Sequence, residues 1–195
     1  MTKKEKSAKM IRVIMVPPIP ALLLLIILSF SEHTVFADRW ELLASIFFLA
    51  LIPLAAYPIA AVLPAYRAKG REGQRNLAFI LSVAGYAAAV VYGLAAQVSR
   101  GLLLIYLTYF FSVAVLIVFN KFFMLRASGH ACSIAGPLIS MVYFMGWKCI
   151  LPCAMLFALT IWASLALKRH TLKELIAGSG SAVMAFAISL LFLSM

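Results

Sequence analysis

The sequence predicts an all-α integral membrane protein, a bundle of six to seven transmembrane helices, and three observations carry that prediction. The 195-residue chain is 65% hydrophobic and 12% charged, with a mean hydropathy of +1.06, far from soluble globular usage. Apolar stretches of about 18 residues or more recur along its whole length, each able to cross about 30 Å of hydrocarbon. Its 17 lysines and arginines gather in short segments between those stretches, as they do in loops at a membrane surface.

Seven segments follow in order, at about 13–30, 42–64, 77–97, 101–119, 130–146, 148–167 and 172–194. Pro17, Pro18 and Pro20 lie in the first and predict a kinked or partly unwound helix, since proline removes a donor and clashes with the preceding turn. No small-residue cleavage pattern follows residue 30 and no soluble domain follows for export, so this segment reads as a span and not as a signal peptide. Gln97 to Gly101 and Gly146-Trp147-Lys148 read as tight turns. Thr171 stands where it can cap the last helix. Residues 1–12 read as a basic cytoplasmic tail and residues 13–195 as one transmembrane domain, with no internal repeat.

The net charge of +11 raises the possibility of a nucleic-acid partner, but the charges sit in short loops and no soluble domain carries them. Cys132, Cys149 and Cys153 fall in apolar segments. Their odd number and their spacing from histidines give neither a disulfide framework nor a metal site, so they read as small core residues. No cofactor is expected.

The basic residues divide unevenly between the two faces. One face takes Lys3, Lys4, Lys6, Lys9, Arg12, Arg67, Lys69, Arg71, Arg75, Lys121, Arg126, Lys168, Arg169 and Lys173; the other takes Arg39, Arg100 and Lys148. The positive-inside rule puts the richer face, and the N-terminus, in the cytoplasm. If the proline-rich first segment does not cross, parity reverses the side on which the later loops lie.

Three polar clusters fall on that richer face. They are Arg67 to Arg75 ahead of the third span, Lys121 to His130 opening the fifth, and Lys168 to Glu174 opening the seventh. Their residue types suit a phosphate. Arg and Lys neutralise a dianion, and Arg grips it with paired donors. Ser128 and Gly129 precede a helix, where a hydroxyl and backbone N–H groups meet the positive end of the helix dipole. His130 at the same end is placed to give a proton to a leaving oxygen. His170 and Glu174 share one helix face if helix begins near His170, and a carboxylate on one imidazole nitrogen frees the other as a nucleophile. Each feature also has a plainer reading: a topology signal for the basic loop, a turn for Ser-Gly-His, a solvated cap for the His-Glu pair.

Ala127-Ser128-Gly129-His130, and Ala163-Ser164 followed by five residues, His170, three residues and Glu174, resemble the second and third motifs of the type 2 phosphatidic acid phosphatase superfamily. That family's pattern is Lys, six residues, Arg-Pro; then Pro-Ser-Gly-His; then Ser-Arg, five residues, His, three residues, Asp. The run from Leu167 to Gly178 is similar to the third-motif region of short bacterial members. The resemblance covers about residues 67–180. It implies a phosphatidic-acid-phosphatase-like core and a hydrolase of the bacterial inner membrane that needs no metal. In it His170 is the nucleophile that forms a phosphohistidine, Glu174 orients it, and His130 is the general acid. Arg75, Lys69, Ser128 and Gly129 then bind the phosphoryl oxygens. The family's third-motif Arg falls on Ser164, its Asp on Glu174, and its first-motif Pro on Asn76. Arg126, two residues before Ser128, is the residue that position and charge offer in place of the lost Arg.

The function expected is therefore hydrolysis of a lipid phosphate or diphosphate, such as a polyprenyl or glycerolipid phosphate, whose apolar chain lies among membrane lipids. A phosphotransferase of the same fold and a catalytically weakened member that binds a phospholipid are the alternatives. A transporter is disfavoured because no ionisable residue falls deep within a span.

Overall fold

A computed structural model describes residues 3–31 and 35–195; His33 lies outside them. Among the described residues the secondary structure is helical, with no strand. Helix α1 (Lys3–Ile14) is followed by α2 (Pro18–Ser29), and the two are bent by 58° at the break between them. The prolines explain the break: Pro17 precedes α2 and Pro18 occupies its first position, where proline's missing donor costs nothing. Asp38 then caps α3 (Arg39–Ile46) by accepting the Glu41 N–H at 2.9 Å. The Glu41 carboxylate reaches back to Ala37 N–H at 2.7 Å.

Helix α3 continues through one π-helical turn, Phe47–Leu51, into α4 (Ile52–Val62). Pro53 has no N–H to continue the ladder, and the wider turn just ahead of it accommodates the gap. Leu63 is extended because Pro64 follows it, the conformation that a following proline enforces. After the one-turn α5 (Pro64–Arg67) come α6 (Gly70–Ala95), α7 (Arg100–Lys121), α8 (Gly129–Met145), α9 (Ile150–Ala166) and α10 (Leu172–Ser194).

Five of these rods are long and apolar enough to cross a membrane, and the bent α1–α2 pair makes a sixth if counted as one span. The fifth predicted segment, α8, has 17 residues and stands at the short end of the spanning range. Leu43, Phe47, Leu51, Phe79, Val91, Leu151 and Leu191 are exposed around the bundle, an apolar surface that lipid suits and water does not. Polar side chains within the helices fold back on their own backbone: Ser82, Thr108, Thr160, Ser181 and Ser189 each donate to the carbonyl four residues earlier.

Helix α7 is the pillar of the fold. Leu102, Ile105 and Tyr106 on it are fully buried against Leu24, Leu25 and Leu28 of α2 and Ala89 of α6. Helix α10 packs against both α7 and α8 through a stripe of small buried residues, Gly178, Ser181, Ala182, Ala185 and Ser189, which lets the backbones approach closely. A second cluster, Leu116, Ala127, Cys132, Ala135 and Ala182, lies beneath the starts of α8 and α10 and forms the floor of the polar end described next.

The stretch predicted as a tail is mostly helix α1, and it packs along α9. Its buried Ala8 and half-buried Glu5, Ile11, Arg12 and Met15 recur at helical spacing and form the inward face. Lys3, Lys4, Lys6 and Lys9 point outward, beside exposed Met10, Val13 and Ile14. That mixture suits a helix lying in a membrane interface, outside the hydrocarbon.

Candidate active site at the basic end of the bundle

The starts of α8 and α10 meet through the backbone. The Ser128 N–H donates to the Glu174 carbonyl at 2.9 Å. One turn along α10, Gly178 lies so close that a Cβ built on it would stand 2.2 Å from the Ser128 carbonyl oxygen. Two segments 46 positions apart are thus held as one unit, which brings Ser128-Gly129-His130 beside His170 and Glu174.

Helix α10 starts two residues after His170, with Thr171 as its N-cap. The His170–Glu174 pair therefore does not lie on a helix face; it straddles a capping box. Glu174 N–H donates to Thr171 Oγ1 at 3.3 Å, and Glu174 Oε2 accepts the Thr171 N–H at 3.2 Å, the reciprocal pairing that fixes a helix start. The same Oε2 stands 3.0 Å from His170 Nδ1. A carboxylate only accepts, so Nδ1 carries the proton and Nε2 keeps its lone pair. The side chains of His170 and Glu174 are 21% and 20% exposed, open enough for a ligand to reach. The capping and orienting readings of Glu174 are thus one geometry.

Ser128 is fully buried and caps α8, its Oγ accepting the Ala131 N–H at 3.3 Å. Gly129 is exposed, and a Cβ there would meet nothing within 4 Å. The Gly129 and His130 N–H groups, at the start of the 17-residue α8, have no acceptor among the described residues. Such groups form an anion site at the positive end of the helix dipole. His130 is half-buried, and its Nε2 is buried without a partner among the described residues. An orphaned buried ring nitrogen costs free energy unless a ligand meets it.

Comparisons with protein-family models, with curated proteins and with solved structures find no match to this chain. The resemblance to the phosphatase superfamily therefore rests on the motif residues alone.

The remaining sequence-predicted residues, Lys69, Arg75 and Arg126, are exposed. Arg126 is exposed in the left-handed region (φ 47°), as is Met124 (φ 52°) in the same loop; each such residue without glycine costs about 1–2 kcal/mol. The charge of Arg126 acts on Glu174. Lys69 and Arg75 are exposed at the start of α6, and their side chains have no hydrogen bond or ion pair among the described residues. Among the described residues no group of His, Cys, Asp and Glu is arranged to hold a metal ion. Clefts also lie elsewhere, along the outer face of α1 and near Asp38 and Arg39.

Two arginines not assigned from the sequence, Arg12 and Arg71, also bear on this end of the bundle. Arg12, on the inward face of α1, donates through Nη1 to Ser164 Oγ at 3.3 Å. Ser164 is fully buried and is the position where the resemblance puts an arginine. The charges of Arg169 and Arg71 bear on Arg12; burial first, then those like charges, push its guanidinium below the ordinary arginine pKa. Arg12 and His170 in turn act electrostatically on His130. In the loop matched to the first motif it is thus the charge of Arg71, one turn before Arg75 on the same face of α6, that bears on Arg12. The available sequence signal was Ala8 and Arg12 at i, i+4 on one amphipathic face, masked by the lysines around them.

Proposed function

We propose that the protein is a membrane-embedded lipid phosphate or diphosphate phosphatase that acts through a phosphohistidine on His170. One observation carries the reading. A histidine oriented by Glu174 lies beside an orphaned second histidine and a free helix N-terminus, at the basic end of an apolar bundle. The substrate is an amphiphile, a polyprenyl or glycerolipid phosphate, whose chain stays with the lipid while its head group enters the basic cluster.

His170 Nε2 attacks phosphorus as the P–O bond to the lipid breaks. The leaving oxygen takes its proton from His130, which must enter this step as the imidazolium; the approaching phosphate supplies the negative charge that favours that form. Glu174 holds the His170 tautomer and offsets the positive charge that develops on the ring. Water then attacks the phosphohistidine with His130 as base, releasing phosphate and returning both rings. The Gly129 and His130 N–H groups and the arginines stabilise charge on the equatorial oxygens, so positioning and electrostatics supply most of the rate.

The test is phosphate release from a panel of lipid phosphates by the detergent-purified protein in EDTA. Release by the wild type, with a loss of at least about 10³-fold in His170→Ala, supports the reading. Equal release by wild type, His170→Ala and His130→Ala refutes the mechanism. Transfer of the phosphoryl group to an added alcohol with little free phosphate indicates the phosphotransferase. Saturable lipid-phosphate binding without turnover indicates a binding protein.

A further inference from the structure

We propose that Arg12 is a ligand of the phosphate, which makes the N-terminal helix α1 a working wall of the site that carries a guanidinium over the histidines. The inference deepens the reading above, and rests on it only for the identity of the site.

Arg12 presents five donors, and one is used, on the Ser164 hydroxyl. No carboxylate pairs with it among the described residues. Of the acids at this end, Glu174 is already engaged by His170 and Thr171, and Glu72 is exposed in the first turn of α6. The neighbours whose charges act on Arg12 are themselves cationic, Arg169 and Arg71. A half-buried guanidinium held among like charges by one neutral hydroxyl is unfavourable as it stands, because burial weakens screening and the positive charges repel. Arginine does not relieve this by losing its proton. An anion seated among Arg12, His130 and His170 does relieve it, and would also satisfy the unpartnered His130 Nε2. A terminal phosphate fits: its tetrahedral oxygens accept paired guanidinium donors on one side and the α8 N-terminus on another.

The placement of Arg12 is a consequence of folding. Ala8, fully buried against α9, fixes the rotation of α1, and Arg12 follows one turn later on the same face. The outward lysines and apolar Met10, Val13 and Ile14 suit an interface containing anionic lipid, so the same helix holds the arginine in place and faces the surface from which a lipid phosphate arrives.

Binding of inorganic phosphate, and separately of a short-chain lipid phosphate, is measured by calorimetry on wild type, Arg12→Ala and Arg12→Lys in one detergent, with melting temperature in parallel. The two ligands separate recognition of the phosphate alone from recognition of the lipid. The proposal expects Arg12→Ala to weaken phosphate binding about 10- to 100-fold, the effect of charge-assisted hydrogen bonds, and Arg12→Lys to recover part of it. It also expects Arg12→Ala, without ligand, to melt no lower than wild type, because repulsion has been removed, and to lose the rise in melting temperature that phosphate gives the wild type. A purely structural Arg12 gives the opposite: lower melting and unchanged phosphate affinity. Absence of phosphate and lipid-phosphate binding in the wild type, or equal affinities in wild type and Arg12→Ala, overturns the proposal. Turnover is read apart from it: phosphate bound through Arg12 without hydrolysis leaves this inference standing and removes the hydrolase, whereas hydrolysis indifferent to Arg12→Ala does the reverse.

Discussion

Two glycines two residues apart in α10 give the sharpest check on how the site is assembled. At Gly180 an added Cβ meets nothing within 4 Å, whereas at Gly178 it would stand 2.2 Å from the Ser128 carbonyl oxygen and 2.9 Å from the Ser128 carbon and nitrogen. All three Ser128 atoms are backbone and cannot swing away. Ordinary contact begins near 3.4 Å, so Gly178→Ala must part α10 from the α8 start by about 1 Å. That movement strains or breaks the 2.9 Å hydrogen bond from Ser128 N–H to the Glu174 carbonyl. Alanine in a helix interior otherwise stabilises by up to about 1 kcal/mol over glycine, and Gly180→Ala should show this gain. Overpacking costs about 1–3 kcal/mol, so Gly178→Ala should lie about 2 kcal/mol or more below Gly180→Ala. A displacement of about 1 Å between reacting groups costs about 100-fold in rate, so Gly178→Ala should retain roughly 1% of turnover while Gly180→Ala retains nearly all. Thermal melting in detergent and phosphate release read the two effects. Equal stability and equal turnover of the two variants would show that Ser128 and α10 are not in contact and would refute this assembly.

Other substitutions separate the parts. Gly129→Ala adds a methyl where nothing in the protein stands, so stability should hold or rise slightly while phosphate affinity falls about 10-fold or more; unchanged affinity would mean that no phosphoryl oxygen approaches the α8 start. Glu174→Gln can still accept the Thr171 N–H and keep the capping box, so melting should move by less than about 0.5 kcal/mol while turnover drops on the order of 10²–10⁴-fold through the lost charge on His170; full turnover would reduce Glu174 to a cap. Lys173→Cys, in a background lacking the three native cysteines, should resist a membrane-impermeant thiol reagent on intact cells and react after permeabilisation. Ready labelling of intact cells would put the site outside.

The bundle is legible in the sequence because apolar runs of spanning length have few other uses, and the α2 break, the turn after Ala96 and the Thr171 cap follow from local rules of proline, turn and capping chemistry. The convergence of Ser128-Gly129-His130 on His170 and Glu174 was also legible, from span counting and motif spacing. The contacts that join them were not. Nothing in the sequence separates Gly178, which touches backbone, from Gly180, which faces open space, since the difference lies in another helix. Arg12 reads as one more cation in a lysine-rich tail until α1 is laid along α9, and the π turn ahead of Pro53 depends on how one ladder absorbs a missing donor. Arg126 stays near Glu174, but the arginine beside Ser164 comes from the opposite end of the chain.

The central claim is that His170 becomes phosphorylated. The direct measurement is acid-free quenching of the wild type with a ³²P-labelled lipid phosphate, followed by peptide mapping at alkaline pH. The account predicts an acid-labile, base-stable phosphate on the peptide containing His170, formed as fast as the lipid alcohol is released and absent from His170→Ala. Alcohol release with no phosphoenzyme, or label that persists when His170 is replaced, contradicts it.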